Sequence, residues 1–450
     1  MKYAIVTFGC RVNQADSLRL EEDLRARGAT ESSLLHADLV IVNTCSVTAT
    51  ADQGARQTVR RIARENPSAR IVVTGCYATH QPDDVSVLPG VVQVIANDDK
   101  PRLIQVLKED GELSTAERFG GGAGPCGAPI EPGLAGRTAF TLCVQTGCEE
   151  QCSYCIIPTT RGRGRSVPMT DVVREVQRIV EAGFKEIALT GVHLGSYGRD
   201  LEPHRSLVAL LRALHKLDVD VTFRISSLEP MDCTGEIVDL VASSGGRFAP
   251  HFHLPLQHAS DRMLTLMRRP YTLGYYRRLV DDIVQRMPDA SIGSDIIVGF
   301  PGETDEDFDR SIGYLRESPL SHLHVFPYSD RPGTEASRLP GKVAGPIVRE
   351  MGAMIRQIGS DLSRRFYDRQ IGLVRPGLTL DDGTLVVTDN YLKVRILPGE
   401  ARNRRVRVQL AANHAAVVVS GDGNQTDAEE LIASARRRPG AAARDDSVIS

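Results

Sequence analysis

The sequence predicts an α/β protein in three parts: an N-terminal α/β domain on a parallel sheet, a central partial (βα)6 barrel, and a small C-terminal all-β domain of OB-like size. Three observations predict it. Short apolar runs alternate with helix-length amphipathic segments through the first hundred residues. The alternation restarts after a Gly/Pro-rich stretch and repeats as successive βα units. Beyond residue 370 the pattern changes to short β runs with no helix between them.

In chain order, residues 3–7, 39–43 and 70–74 read as buried strands, with helices at 17–27 and 51–64. Strands joined through helices pair in parallel, which places an N-terminal domain at 1–118 and a linker at 119–136. Strands at 139–144, 186–190, 221–226, 251–256, 291–298 and 321–326 alternate with helices at 171–181, 207–217, 236–243, 273–287 and 305–317. With a further helix at 347–370 they make the barrel, 137–370. Runs at 384–388, 391–396, 404–409 and 415–419 make the last domain, 371–422, and the polar, basic, Ala/Gly-rich stretch 423–450 is expected to be disordered.

No apolar run is long enough to cross a bilayer, and the start Met1-Lys2-Tyr3 enters a strand-like run without signal-peptide architecture, so a cytoplasmic protein with no membrane partner is expected. A net charge of −3 neither demands nor excludes a nucleic-acid partner; any RNA contact must come from local basic clusters. Nine cysteines, an odd number without a secretory signature, favour metal or redox chemistry over a disulfide framework.

Cys148-Glu149-Glu150-Gln151-Cys152-Ser153-Tyr154-Cys155 puts three thiols within one loop, directly after the first barrel strand, where barrel active sites lie. Four thiolates saturate a [4Fe–4S] cluster; three leave one iron open to bind a ligand. The competing reading is a zinc site completed by a distant ligand such as His193 or His253. Polar groups recur at the C-terminal ends of later strands: Thr190 with Gly191, and Ser226 with Glu229. Each is a candidate ligand contact or an ordinary strand-to-loop turn, and Gln257 and Arg268 are weaker candidates of the same kind.

A second trio, Cys10, Cys45 and Cys76, follows three successive strands of the N-terminal domain. In a parallel sheet those positions share the ligand-binding edge. Three unrelated buried cysteines are the alternative. Cys126, Cys143 and Cys233 do not share the placement.

The three-cysteine loop, with the aromatic Tyr154 before its last thiol, resembles the radical S-adenosylmethionine (SAM) superfamily. In that family the open iron chelates SAM, and one-electron reduction cleaves it to a 5′-deoxyadenosyl radical. The resemblance implies that Tyr154, Thr190, Gly191, Ser226, Glu229, Gln257, Arg268, Asp295, Val298 and Gly299 contact SAM. With the second trio the chain resembles the methylthiotransferases, built of a cluster domain, a radical SAM barrel and a C-terminal TRAM domain. This implies two [4Fe–4S] clusters, on Cys148, Cys152 and Cys155 and on Cys10, Cys45 and Cys76. The second cluster would carry the transferred sulfur, and an electron donor and a sulfur donor would be partners.

Thr7-Phe8-Gly9-Cys10-Arg11-Val12-Asn13-Gln14, with the stretches 223–230, 251–257 and 324–329, is similar to the branch acting on N6-threonylcarbamoyladenosine in tRNA, next to the anticodon. Arg11 stands where that branch more usually has Lys, and Ala15-Asp16 replaces an aromatic–acidic pair. The same chemistry on isopentenyladenosine tRNA or a ribosomal-protein aspartate, or a non-catalytic iron–sulfur RNA-binding protein, are the alternatives. Arg161, Arg163 and Arg165 after the cysteine loop, and Arg402, Arg404 and Arg405 in the β domain, are candidate phosphate contacts or solvated surface charges.

Overall fold

A computed structural model describes residues 1–109, 131–132 and 138–419. The first sheet comprises β1 (Lys2–Thr7), β2 (Thr30–Glu31), β3 (Leu39–Thr44), β4 (Arg70–Gly75) and β5 (Val91–Ile95). Its order is β2-β1-β3-β4-β5 and all neighbours are parallel. β3 is buried along its whole length because helices cover both faces. Val40 and Val42 pack with Ala55, Val59 and Ile62 of the helix Ala49–Glu65, whereas Leu39 and Ile41 pack with Leu20 and Leu24 of the helix Arg11–Arg25.

The central part holds β6 (Phe140–Thr146), β7 (Arg165–Ser166), β8 (Glu186–Gly191), β9 (Thr222–Ile225), β10 (His251–His253), β11 (Ser291–Val298) and β12 (His322–Pro327). Two sheets, β7-β6-β8-β9 and β10-β11-β12, are joined where Phe223 N donates to Arg247 O (2.8 Å) and Ala249 N to Phe223 O (2.9 Å). The six parallel strands β6, β8, β9, β10, β11 and β12 thus follow in chain order, with β7 antiparallel on the β6 edge. Helices clad this wall through buried positions such as Val172, Val176 and Ile179 of Met169–Glu181. The N-terminal helix Arg11–Arg25 lies against β6 and β8, so the first domain is seated on the barrel.

The C-terminal sheet is antiparallel, ordered β15-β14-β13-β16-β17, with β13 (Val374–Leu380), β14 (Leu385–Thr388), β15 (Lys393–Arg395), β16 (Arg405–Leu410) and β17 (Ala416–Val418). Val386, Val394, Val408 and Leu410 form its core with Tyr367 of the helix Gly345–Gln370. It docks on the barrel through Asn403 Nδ2 to Gly183 O (2.8 Å) and Arg405 Nη1 to Thr222 Oγ1 (3.0 Å).

Several elements differ from the sequence reading. β2, β5, β7 and β13 were not expected. Pro376-Gly377 within β13 reads locally as a turn, yet the strand is central and pairs on both sides. The strand expected over 251–256 ends at His253; Gln257, at φ +70°, meets β11 again by one bridge to Ile296. Tyr391, at φ +71°, sits in a turn, so the following strand begins at Lys393. The stretch 423–450, Cys126, and all of 119–136 but 131–132 lie outside the described residues. No helix among the described residues is long and apolar enough to cross a membrane.

Candidate functional site

Chain geometry forces the barrel cysteine loop into place. At Gly147, φ is +75° and a Cβ would sit 1.9 Å from the Arg163 carbonyl oxygen, so only glycine fits. Cys148 N donates to Gly162 O (3.0 Å), and Cys155 N to Cys152 O (3.1 Å). Each sulfur accepts a hydrogen bond: Cys148 from Glu150 N (3.4 Å), Cys155 from Ile157 N (3.4 Å), Cys152 from Arg269 Nη1 (3.1 Å). Burial pushes the Cys155 thiol up to about 12, with the Cys152 and Cys148 thiolates adding to it. Burial also raises Cys152, against the pull of Arg269. Thiols held up in this way lose their protons on binding a metal, and the donors around them suit thiolate ligands of an iron–sulfur cluster. His193 is raised to about 10: burial opposes its charge, but hydrogen bonds to Asp232 (2.7 Å) and Cys148 overcome it. The loop lines an open cavity of about 450 Å³ with Arg163, Arg268 and Glu335 on its rim.

The second trio converges at the C-terminal edge of the first sheet. Cys10 caps the helix Arg11–Arg25, Cys45 follows β3, and Cys76 starts the helix Cys76–His80. A Cβ on Gly9 (φ +84°) would lie 2.5 Å from Cys45 Sγ. Burial raises the Cys45 thiol to about 12, with Cys10 and Cys76 contributing. Asn97 Nδ2 approaches Cys76 Sγ (3.6 Å) and donates to Thr160 O (2.8 Å), only five residues beyond Cys155. Arg161 Nη2 donates to Asn13 Oδ1 (2.5 Å), and its Nη1 to Thr146 Oγ1 (3.3 Å). The segment carrying the barrel trio therefore abuts the N-terminal one.

Over residues 2–97 the chain matches the family described as Uncharacterized protein family UPF0004, and over 142–315 the Radical SAM superfamily. It is 35% identical over 415 residues to "Threonylcarbamoyladenosine tRNA methylthiotransferase MtaB" of Aquifex aeolicus, covering 88% of this chain and 96% of the relative. The protein of that name in Bacillus subtilis is 33% identical over 409 residues, covering 87% and 89%. The chain belongs to the radical SAM methylthiotransferases. A third relative, "tRNA-2-methylthio-N(6)-dimethylallyladenosine synthase" of Carboxydothermus hydrogenoformans, is 33% identical over 393 residues, covering 80% and 85%. Among solved structures, the radical SAM methyltransferase TsrM of Kitasatospora setae superposes with a TM-score of 0.53 at 16% identity, covering 74% of this chain and 76% of that one, a likeness of fold.

As a radical SAM enzyme the protein uses SAM and a [4Fe–4S] cluster, and the residues around the barrel trio fit both. Glu229 is ion-paired with Arg269, which the sequence reading passed over in favour of its neighbour; Arg269 in turn holds Cys152. Arg268, at φ +57°, is half exposed and pairs with Glu335 (2.6 Å). Tyr154 stands edge-on to Phe300 with ring centroids 6.5 Å apart. Thr190 is buried, and a Cβ on Gly191 would come 3.1 Å from the Gln145 side chain. Ser226 Oγ is buried without a hydrogen-bond partner among the described residues, an orphan donor suited to a ligand. After the buried Val298, Gly299 N and Phe300 N both donate to Glu303 Oε2 (2.6 and 3.1 Å), which sets the turn. Gln257 N donates to Asp295 O (2.8 Å), whereas the Asp295 carboxylate takes His253 Nε2 (2.9 Å).

That last pair belongs to a cluster the sequence reading did not single out. Strand register aligns His253, Gly293 and His322 across β10, β11 and β12, with Asp295 opposite His324 one step on. Alternation puts all of them on one face. A Cβ on Gly293 would fall 2.0 Å from His322 Nε2, so glycine makes room for the rings. Nitrogens of His253, His322 and His324 lie within 4.8 Å of one another. The pattern His-x-His in two strands flanking Gly-x-Asp in the strand between them was the available signal.

The six arginines offered for RNA divide. Arg161 is 4% exposed and ion-paired with Asp16, a link between two domains. Arg405 binds Thr222 Oγ1 and Lys185 O of the barrel. Arg163 is 90% exposed, Arg165 pairs with Asp98 at the surface (2.8 Å), and Arg402 Nε donates to Asp381 O (2.6 Å). Arg404 is exposed, its backbone N bound to Thr379 Oγ1 (2.8 Å).

Proposed function

We propose that this enzyme adds a methylthio group to C2 of N6-threonylcarbamoyladenosine at position 37 of tRNA, with one [4Fe–4S] cluster on Cys148, Cys152 and Cys155 and a second on Cys10, Cys45 and Cys76. The observation that carries the reading is the approach of the two thiol-bearing segments through Asn97 and Arg161, which supports two centres acting at one place. The relatives named for this nucleoside support the substrate.

A purine C2–H has no acidic proton for a side-chain base to remove. SAM supplies both the methyl group and, after one-electron reduction, the carbon radical that the step requires. The protein's own residues bind, orient and exclude water. Arg269 holds Cys152 and Glu229 in one chain of charge-assisted bonds. Tyr154 and Phe300 form an apolar wall, and Ser226 Oγ offers a donor. His193 is held by Asp232 beside the Cys148 sulfur. Arg163, Arg165, Arg402 and Arg404 provide surface charge for tRNA phosphates.

Mass spectrometry of tRNA nucleosides from a deletion strain tests the substrate. The expected result is loss of the methylthio mark on threonylcarbamoyladenosine. Loss on isopentenyladenosine instead, with the threonylcarbamoyl mark unchanged, overturns the proposal. So does failure of the reconstituted protein to form 5′-deoxyadenosine from SAM under strong reductant.

A further inference from the structure

Arg11 directly follows Cys10, and its side chain leaves the N-terminal domain for the histidine-lined face of the barrel. Its Nη2 donates to Tyr391 OH (2.9 Å), and the guanidinium lies 6.0 Å from that ring. Tyr391 in turn packs on His251 (4.5 Å between centroids) and under Arg224 (4.9 Å). The other charges here are matched. Arg224 makes a two-pronged pair with Glu186 (3.0 and 2.9 Å), and Asp295 is engaged by His253. Arg11 is half-buried, and among the described residues no carboxylate lies within ion-pair distance of it. Burial, with Arg11 among the contributing cations, holds His251 and His324 below the usual histidine value, so both rings are neutral hydrogen-bonding groups. A half-buried guanidinium with no carboxylate partner and one phenolic hydroxyl against it is a site for an anion.

We infer that Arg11, positioned by Tyr391, binds the carboxylate of the substrate's threonylcarbamoyl group and so selects this nucleoside over one bearing an apolar substituent. The inference rests on the substrate proposed above and assigns the part of the site that reads it. A dimethylallyl group placed here leaves the guanidinium desolvated and unpaired, and a buried polar group left unpaired rejects a ligand far more strongly than a missing apolar contact does. The forked guanidinium offers a carboxylate two-point binding. Because Arg11 is joined to Cys10, an anion held there anchors the nucleoside beside the N-terminal trio.

The test measures anaerobic binding of three anticodon stem-loops to the cluster-loaded full chain. They carry threonylcarbamoyladenosine, its carboxamide analogue, or unmodified adenosine at position 37. The native protein should prefer the carboxylate form over the carboxamide by about 10- to 100-fold, as for a charge pair in a partly desolvated site. Arg11→Gln should abolish that preference, and Arg11→Lys should keep most of it. Equal weakening of all three loops by Arg11→Gln, the mark of a phosphate contact, overturns the inference. So does retention of the preference in that variant. Dependence of binding on zinc, lost on chelation and restored by the metal, overturns it in favour of a metal held by His253, His322 and His324. If Arg11→Gln loses iron, the carboxamide comparison on the native protein decides. A native protein that shows the preference yet methylthiolates only another nucleoside sinks the proposed function and not the subsite.

Discussion

Arg161 Nη2 lies 3.2 Å from Asp16 Oδ2, an ion pair between the barrel segment that follows Cys155 and the helix that follows Cys10. Lys100 Nζ completes it from the other side (2.8 Å), and the two cations hold the Asp16 carboxyl below the usual range although burial pushes the other way. Arg161→Met leaves the partly buried carboxylate with Lys100 alone, at a cost of about 1.5–3 kcal/mol. The expected outcome is a lower anaerobic melting temperature, with part of the loss recovered in Arg161→Met/Asp16→Asn. A variant as stable as the native chain shows that the pair does not tie the domains.

Gly147→Ala should remove the barrel cluster selectively. Its Cβ meets the Arg163 carbonyl at 1.9 Å, and the φ of +75° is strained for alanine, so the start of the cysteine loop must move. Iron should fall while the N-terminal trio keeps its share, and SAM cleavage should be lost. Full iron content with normal cleavage contradicts this.

Removing either trio should leave about half the iron, since each is expected to hold its own cubane. Iron analysis of Cys148→Ala/Cys152→Ala/Cys155→Ala and of Cys10→Ala/Cys45→Ala/Cys76→Ala decides it. Complete loss in both variants means the trios share one cluster.

The Asp307 carboxyl lies well below the usual carboxylate range. Burial raises it, but hydrogen bonds from Arg262, Ser260 and Thr304 outweigh that. A lowered folded-state pKa means that the unfolded chain binds more protons as pH falls through about 4. The stabilisation is complete above that pH and is lost below it. Asp307→Ala, which also removes the capping box with Thr304, should cost about 1–3 kcal/mol at pH 7, with the gap to the native chain narrowing below about pH 4 in urea unfolding. A gap independent of pH rules out the carboxylate as its source.

Much of this was legible because the chemistry sits where strands end. Apolar runs that stop at Cys45 and Cys76 declare a parallel sheet edge, and three thiols in one loop after β6 declare a cluster site. What stayed hidden depends on pairing and burial. β13 forms across Pro376-Gly377 because β14 and β16 flank it, which local turn chemistry does not register. Arg161 and Arg163 are equivalent charges in sequence, yet one is 4% exposed and the other 90%. Arg268 and Arg269 are neighbours, but φ +57° at the first turns it outward, and only the second reaches Cys152. The row His253–Gly293–His322 required strand register, which no single segment carries.

Tyr391 has a consequence for the order in which the site can exist. Its ring is shared by Arg11 of the first domain and Arg224 and His251 of the barrel, though it lies in the turn between β14 and β15 of the C-terminal domain. A nascent chain therefore contains all six cysteines of the two trios before Tyr391 has been synthesised. Until that ring arrives, Arg11 lacks the hydroxyl that positions it. The thiols of both trios are therefore synthesised well before the ring that positions Arg11.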